Sequence, residues 1–356
     1  PLFSSRRRHT RYADRSRGLG DVYKRQVVHR EEPPTPGAPG RSLLNRGKKS
    51  IVLDLKSQQD VDVLKKLISK ADGLIEGFRP GVMERLGVGP AVVCKENPRL
   101  VYGRLTGWGQ DGPRAPHAGH DLNYIALSGA LWYASHAADP PLTPPTMVGD
   151  IGGGSLYLVA GMLAALLRAQ RSGKGAVVDA AIVDGSAHMM NLIMAAQAGG
   201  LLAPDRGTSV LDGSPWSRCY RTSDGRWLSV QCLEPRFYEV FIAGLGAAGD
   251  DAFAQDPDPG AWPGLAQRIA ERIATRTLDE WSQIFDDTDA CVAPVLGPAE
   301  SAAHPHMAAR ETWTETDGQL QARPAPRFDG ERPADPRPAP LRGEHTAEIL
   351  ASLDLD

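Results

Sequence analysis

Cysteine is scarce: four residues (Cys94, Cys219, Cys232 and Cys291) lie far apart in a chain of 356, with no CxxC and no Cys/His ligand spacing. That scarcity argues against a disulfide framework and a structural metal, and it suits a reducing compartment, so the cytoplasm is the expected location. Long apolar runs are equally sparse. The one long uncharged stretch, residues 151–167, falls short of the roughly 20 residues that span a bilayer and reads as a buried helix. Residues 1–26 hold no apolar core of the signal-peptide kind, and the terminal Leu353-Asp354-Leu355-Asp356 is no peroxisomal address. No membrane partner is expected.

Charge of one sign is also lacking, since the formal net charge is −3. The balance hides a basic tail, because residues 1–26 carry eight Lys/Arg against two Asp. A basic arm is a common nucleic-acid signature. This one has neither helical nor strand periodicity and is similar to the conceptual translation of sequencing-adapter sequence, so residues 1–26 are expected to be non-native and no nucleic acid is expected as a partner. The native chain then begins near Val27, with the first βα unit of the fold missing.

What is present is enough apolar residue, 41% of the chain, to bury a full core, and the length suggests two domains. Strand and helix alternate from Ile51. The β-branched run IVLDL is followed by Ser57 as a helix cap, with Val61, Leu64, Leu67, Ile68 and Ala71 on one face. Strands at 73–76 and 100–107 continue an α/β pattern with a parallel sheet, a Rossmann-like large domain over 27–210. A loop-rich stretch from 107 to 150 holds one convincing helix near Leu122, and long loops of this sort usually carry function. The helix at 156–168, a buried strand at 176–185 and a Met/Ala-rich helix at 187–202 complete this half. A smaller α+β domain over 211–305 starts with a hairpin around Ser223-Asp224-Gly225 and contains the capping box Thr277/Glu280. Residues 306–356 are rich in proline and charge.

Several motifs fail on context. Gly107-Trp108-Gly109-Gln110-Asp111-Gly112 reads GxGxxG after a strand, but Pro113 and Pro116 prevent the helix that would present amides to a pyrophosphate. Ser172-Gly173-Lys174-Gly175 lacks the first glycine and the Ser/Thr of a phosphate loop. His117-x-x-His120-Asp121 and His304-Pro305-His306 offer no third ligand at a recognised spacing. Neither a metal nor a separate cofactor is expected.

The remaining candidates are AGHDLNY (118–124) and VGDIGGGS (148–155), each at a loop-to-helix junction. His120 is a residue type suited to proton transfer, and Asp150 stands beside the amides of Gly152, Gly153 and Gly154, which could hold an oxyanion. On the residues alone, a catalytic pair and two ordinary helix caps are equally good readings.

Those motifs, with NRGKKSIVLDLK (45–56), EGFRPGVMERLG (76–87), TGWGQDGP (106–113), SGKGAVVDAAIVDGS (172–186), EPRFY (234–238) and DACVAPVL (289–296), resemble the alpha-methylacyl-CoA racemases of the family III CoA-transferase superfamily. The resemblance runs from Val27 to about Phe328. It implies an interlocked homodimer with the active site between domains of different subunits, and a C-terminal segment that returns to the large domain. It also implies an isomerase that inverts a 2-methylacyl-CoA thioester by two-base α-proton transfer through an enolate, with His120 on one face and Asp150 on the other. Glu234 would reach His120, while Leu53, Lys56, Arg79, Arg85, Asp121 and Tyr124 would bind the coenzyme, which is part of the substrate. Without the family, Glu234 is an ordinary first-turn acid and the three cations are solvated charges. One departure concerns Asp150: the racemase pattern often has Asn four residues earlier, where this chain has Thr146. The alternatives are a CoA-transferase with Asp150 as nucleophile, disfavoured by His120, and a non-catalytic or truncated acyl-CoA binder.

Overall fold

The computed structural model describes residues 2–4, 24–30 and 42–353. The expected non-native segment therefore lies mostly outside the described residues. Where it is described it is strand, which its sequence pattern did not predict. β1 (Leu2–Ser4) lies between β2 (Lys24–Arg30) and β4 (Ala71–Glu76) and is antiparallel to both, pairing Leu2 with Gln26 and with Leu74. Backbone groups facing a gap in a sheet need partners, and any short extended segment can supply them whatever its side-chain pattern.

The sheet has the order β3-β2-β1-β4-β5-β6, with β3 at Lys49–Leu53, β5 at Val101–Thr106 and β6 at Ala176–Ala181. β2 is parallel to β3, and β4, β5 and β6 are parallel in turn. Because β1 opposes both β2 and β4, those two also share a direction. Five strands thus deliver their carboxyl ends, and the loops that follow, to one edge of the sheet.

α1 (Gln58–Ser69) buries Val61, Leu64, Leu67 and Ile68, the face that its spacing predicts. Ser57 precedes it without a side-chain cap; instead Asp60 in the first turn accepts the Asp54 N–H at 2.7 Å. α2 (Val82–Arg85) and α3 (Pro90–Glu96) follow, and α4 (Asp121–Ser128) lies beyond β5. A buried arginine joins two of these elements by charge. The Arg104 guanidinium of β5 meets Glu76 at the end of β4 and Glu84 of α2, both at 2.8 Å. Burial pushes the Glu76 carboxyl up, against the pull of the Phe78 amide and of Arg104.

A π-helix (Met147–Ser155) runs without interruption into α5 (Leu156–Ser172). The run judged too short to cross a bilayer is therefore part of a 26-residue helix, Met147–Ser172, long and apolar enough to do so by length and composition. One face of α5 packs on the sheet, where Leu158, Met162, Ala165 and Ala169 join Val101 and Ala180 in a core cluster. A second cluster unites Ile51, Leu53, Leu64, Leu74 and Tyr102 with Ile349 and Leu353 of the C-terminal segment. The strand expected through 185 stops at Ala181, because the Val183 N–H turns back to the Gly107 carbonyl and α6 (Ile182–Met189) begins. The helix expected over 187–202 is divided at Met190 between α6 and α7 (Asn191–Ala198).

The chain divides into two compact units. The first comprises the described residues up to Tyr124, Thr146–Ser186, and everything from Ala302 onward. The second comprises Ile125–Pro145 and Ala187–Ser301. In the second, β7 (Ser217–Arg221), β8 (Trp227–Gln231) and β9 (Val292–Pro294) form an antiparallel sheet. α8 (Pro235–Gly244), α9 (Trp262–Ile273) and α10 (Leu278–Phe285) cover a core of Leu228, Phe241, Ile269, Ile273 and Trp281. Thr277 and Glu280 form the expected reciprocal capping box. α11 (Pro298–Ala303) leads back into the first unit. There α12 (Pro305–Ala309), the hairpin β10 (Trp313–Thr316) and β11 (Gln319–Ala322), and α13 (Thr346–Ala351) give the C-terminal segment more regular structure than its composition suggests.

Candidate active site

The parallel strands decide where candidate residues gather. Lys56 follows β3, Arg79 and Arg85 follow β4, and His120 closes the loop after β5, all at the carboxyl edge where ligands of open α/β sheets bind. Lys56, Arg79 and Arg85 are exposed and available to a ligand. Leu53 is not: its side chain is buried in the core cluster, which leaves only its main chain for a ligand to meet.

His120 and Asp150 come together in the first unit. Asp121 is 8% exposed, and its Oδ1 accepts the Asp150 N–H at 2.8 Å. The backbone of His120 is fixed on both sides, its N–H donating to Asn123 Oδ1 at 3.1 Å and its carbonyl accepting the Asn123 N–H at 2.8 Å. Its imidazole is exposed. The Asp150 carboxyl sits above its usual range, first because burial disfavours its charge and then because Asp121 repels it, against the opposing pull of His120. Tyr124 is buried; its hydroxyl donates to the Gly119 carbonyl. Burial and the Asp150 charge push that phenol up, while Arg79 pulls it down. Arg79, Tyr124, His120, Asp121 and Asp150 thus act on one another as a single electrostatic group.

Asp150 is no N-cap. It lies within the π-helix, whose N–H groups bond back five residues. Gly152, Gly153 and Gly154 belong to the same ladder. Gly153 and Gly154 are also pressed against α6: a Cβ on Gly153 would stand 2.2 Å from Ser186 Oγ, and one on Gly154 2.8 Å from Ile182 Cγ1. The glycines therefore permit close packing behind Asp150. Thr146 precedes the π-helix with φ 61°, in the left-handed region. A β-branched residue is strained there, whereas Asn tolerates it, which gives a physical reason for the Asn of the racemase pattern.

Glu234 stands in the second unit as the N-cap of α8, without a side-chain cap bond. Its charge, after burial, helps to push the Cys291 thiol up. Sequence reasoning missed Asn123, Ser186 and Trp108. The first could have been found as the residue three after His120, a spacing that suits a side-chain bond to the His120 N–H; the other two have no local signal.

The chain matches CoA-transferase family III over residues 17–346. It is 41% identical over 318 residues to the alpha-methylacyl-CoA racemase of Mus musculus, covering 88% of this chain and 83% of that protein. To the Homo sapiens racemase it is 42% identical, covering 87% of this chain and 81% of the other. In fold it is similar to a CaiB/BaiF family protein from Brucella suis, with a TM-score of 0.77 at 24% identity over 95% of this chain and 94% of that one.

Two outcomes follow from this geometry. Thr146→Asn relieves the left-handed strain and is expected to stabilise the protein by about 1 kcal/mol, read from the midpoint of urea unfolding; an unchanged or lower midpoint contradicts the strain. Asp121→Asn keeps an acceptor for the Asp150 N–H but removes the like charge, so the Asp150 carboxyl falls toward its ordinary value. The limb of the pH–rate profile that reports Asp150 then moves to lower pH. A limb that stays in place shows burial alone to be responsible.

Proposed function

Because the chain belongs to CoA-transferase family III, we propose that it is a racemase that interconverts (2R)- and (2S)-2-methylacyl-CoA thioesters by two-base proton transfer. The observation that carries this reading is the Asp121–Asp150 hydrogen bond, which sets a histidine and a carboxylate of raised pKa at one locus. One base takes the α-proton and the C–H electron pair moves onto the thioester oxygen. The conjugate acid of the other base then delivers a proton to the opposite face of the enolate. The pair must hold one proton between them, and a carboxyl pushed up toward the range of an imidazole suits that sharing. The same shift disfavours Asp150 as the ionised nucleophile of a transferase.

The developing oxyanion needs donors. Since the N–H groups of Gly152, Gly153 and Gly154 are part of the π-helical ladder, the first-turn amides of α4, at Asp121 and Leu122, are the better candidates. Lys56, Arg79 and Arg85 meet the phosphates of the coenzyme, and Arg79 also acts on Tyr124. The coenzyme is part of the substrate, and the reaction needs no separate cofactor.

The partner is a second copy of the chain. On α5, Leu156, Val159, Leu163 and Leu167 recur every three or four residues and are 59%, 49%, 54% and 57% exposed. Four such side chains on one helix face form a stripe that association would cover.

The reaction is tested by proton NMR of a 2-methylacyl-CoA in deuterated water. The α-proton signal is expected to disappear as configuration scrambles, and His120→Ala and Asp150→Ala each to abolish racemisation. No exchange by folded, CoA-binding protein sinks the racemase reading and points to acyl transfer through Asp150. For the partner, Leu163→Glu is expected to halve the mass measured by light scattering, and an unaltered dimer mass places the interface elsewhere.

A further inference from the structure

The Gly107–Gly112 motif is unsuited to a dinucleotide, and the reading above gives it no role. Its surroundings do. The loop is fastened to β5, β6 and α6 at three points: the Gly107 carbonyl accepts the Val183 N–H at 3.1 Å, Thr106 Oγ1 accepts the Gly109 N–H at 3.1 Å, and Asp179 Oδ2 accepts the Gln110 N–H at 3.4 Å. From this fixed base Trp108 reaches the residues just ahead of His120. Its indole N–H donates to the Ala118 carbonyl at 3.4 Å, and its ring meets Tyr124 edge-on, with centroids 4.7 Å apart and an interplanar angle of 83°. The Arg114 guanidinium lies over the Trp108 ring, 5.1 Å from its centroid.

The packing leaves no slack. A Cβ on Gly119 would stand 2.8 Å from Trp108 Cζ2 and 2.7 Å from Tyr124 Cε1, and one on Gly107 would fall 1.9 Å from Tyr124 Cζ. Tyr124 in turn donates its hydroxyl to the Gly119 carbonyl. The two peptide carbonyls before His120 are therefore held by two packed rings, Ala118 by Trp108 from the fastened loop and Gly119 by Tyr124 from α4, while His120 itself is exposed. Asp150 is carried by a different element, the π-helix, which meets the His120 segment through the bond to Asp121.

We infer that Trp108 is a positioning residue for the His120 half of the reaction, acting through Ala118, Gly119 and Tyr124 and leaving the Asp150 half in place. The inference rests on the two-base reading. It separates the two substrate hands, because each base removes the proton from one of them. When His120 is misplaced, Asp150 still takes the α-proton from its own hand, exchanges it with solvent and returns deuterium to the same face, giving exchange with retained configuration.

The test uses Trp108→Phe and Trp108→Ala in the full-length protein, with (2R)- and (2S)-2-methylacyl-CoA followed separately by proton NMR and chiral analysis in deuterated water. Trp108→Ala is expected to slow racemisation by on the order of a hundredfold while exchange with retention persists for one hand, and Trp108→Phe to lie between it and the parent. Circular dichroism and melting confirm that both variants fold. Equal losses for the two hands, or no loss, overturn the inference while leaving the two-base reading intact. Absence of exchange in the parent protein overturns both, so the two failures are distinguishable.

Discussion

The hydrogen bond from the Asp150 N–H to Asp121 is the constraint on which the site depends. The chain leaves the first compact unit at Tyr124, passes through Ile125–Pro145 in the second, and re-enters at Thr146. Exit and re-entry are the two segments that carry the candidate bases. A bond between them converts two loop ends into one site, and it does so with a buried carboxylate whose N–H partner offsets part of its desolvation cost.

That choice has an electrostatic price. Asp121 brings a second negative charge close to Asp150 and, together with burial, raises its pKa. In a purely structural clamp this repulsion is a defect, and ionised Asp150 costs stability at any pH above its raised pKa. In a pair that must share one proton it is useful, because it moves a carboxyl toward the proton affinity of its imidazole partner. Arg104 shows the opposite use of buried charge, where Glu76 and Glu84 meet a guanidinium and brace the segment from which Arg79 projects.

Much of this was legible in the sequence, because it rests on local patterns. The β3-α1-β4 unit, the β7-β8 hairpin and the Thr277/Glu280 capping box each declare themselves within one continuous stretch of sequence. What was not legible depends on distant partners. The buried strand expected over 176–185 ends at Ala181 because Gly107 claims the Val183 N–H. Asp150 reads equally well as a helix cap and as one of a catalytic pair, and the π-helix removes the first of these. The glycines beside it read as anion donors, yet Ser186 and Ile182 show them to be contact surfaces. Leu53 and Lys56 look alike as candidates three residues apart, and the pleat separates them, the first facing the core and the second lying in the turn beyond the strand.

The π-helix bears on how such a site can change over time. Its turns are wider than the 3.6 residues of an α-helix, so the segment carries surplus chain that a straight α-helix would lack. Loss of one residue between Asp150 and Leu156 would rotate Asp150 by about 100° relative to α5. Gly153 and Gly154 leave no room for a side chain against Ser186 and Ile182, so this stretch is constrained in composition as well as in length. The direction in which Asp150 points is thus set by the number of residues between it and α5 as much as by its own identity.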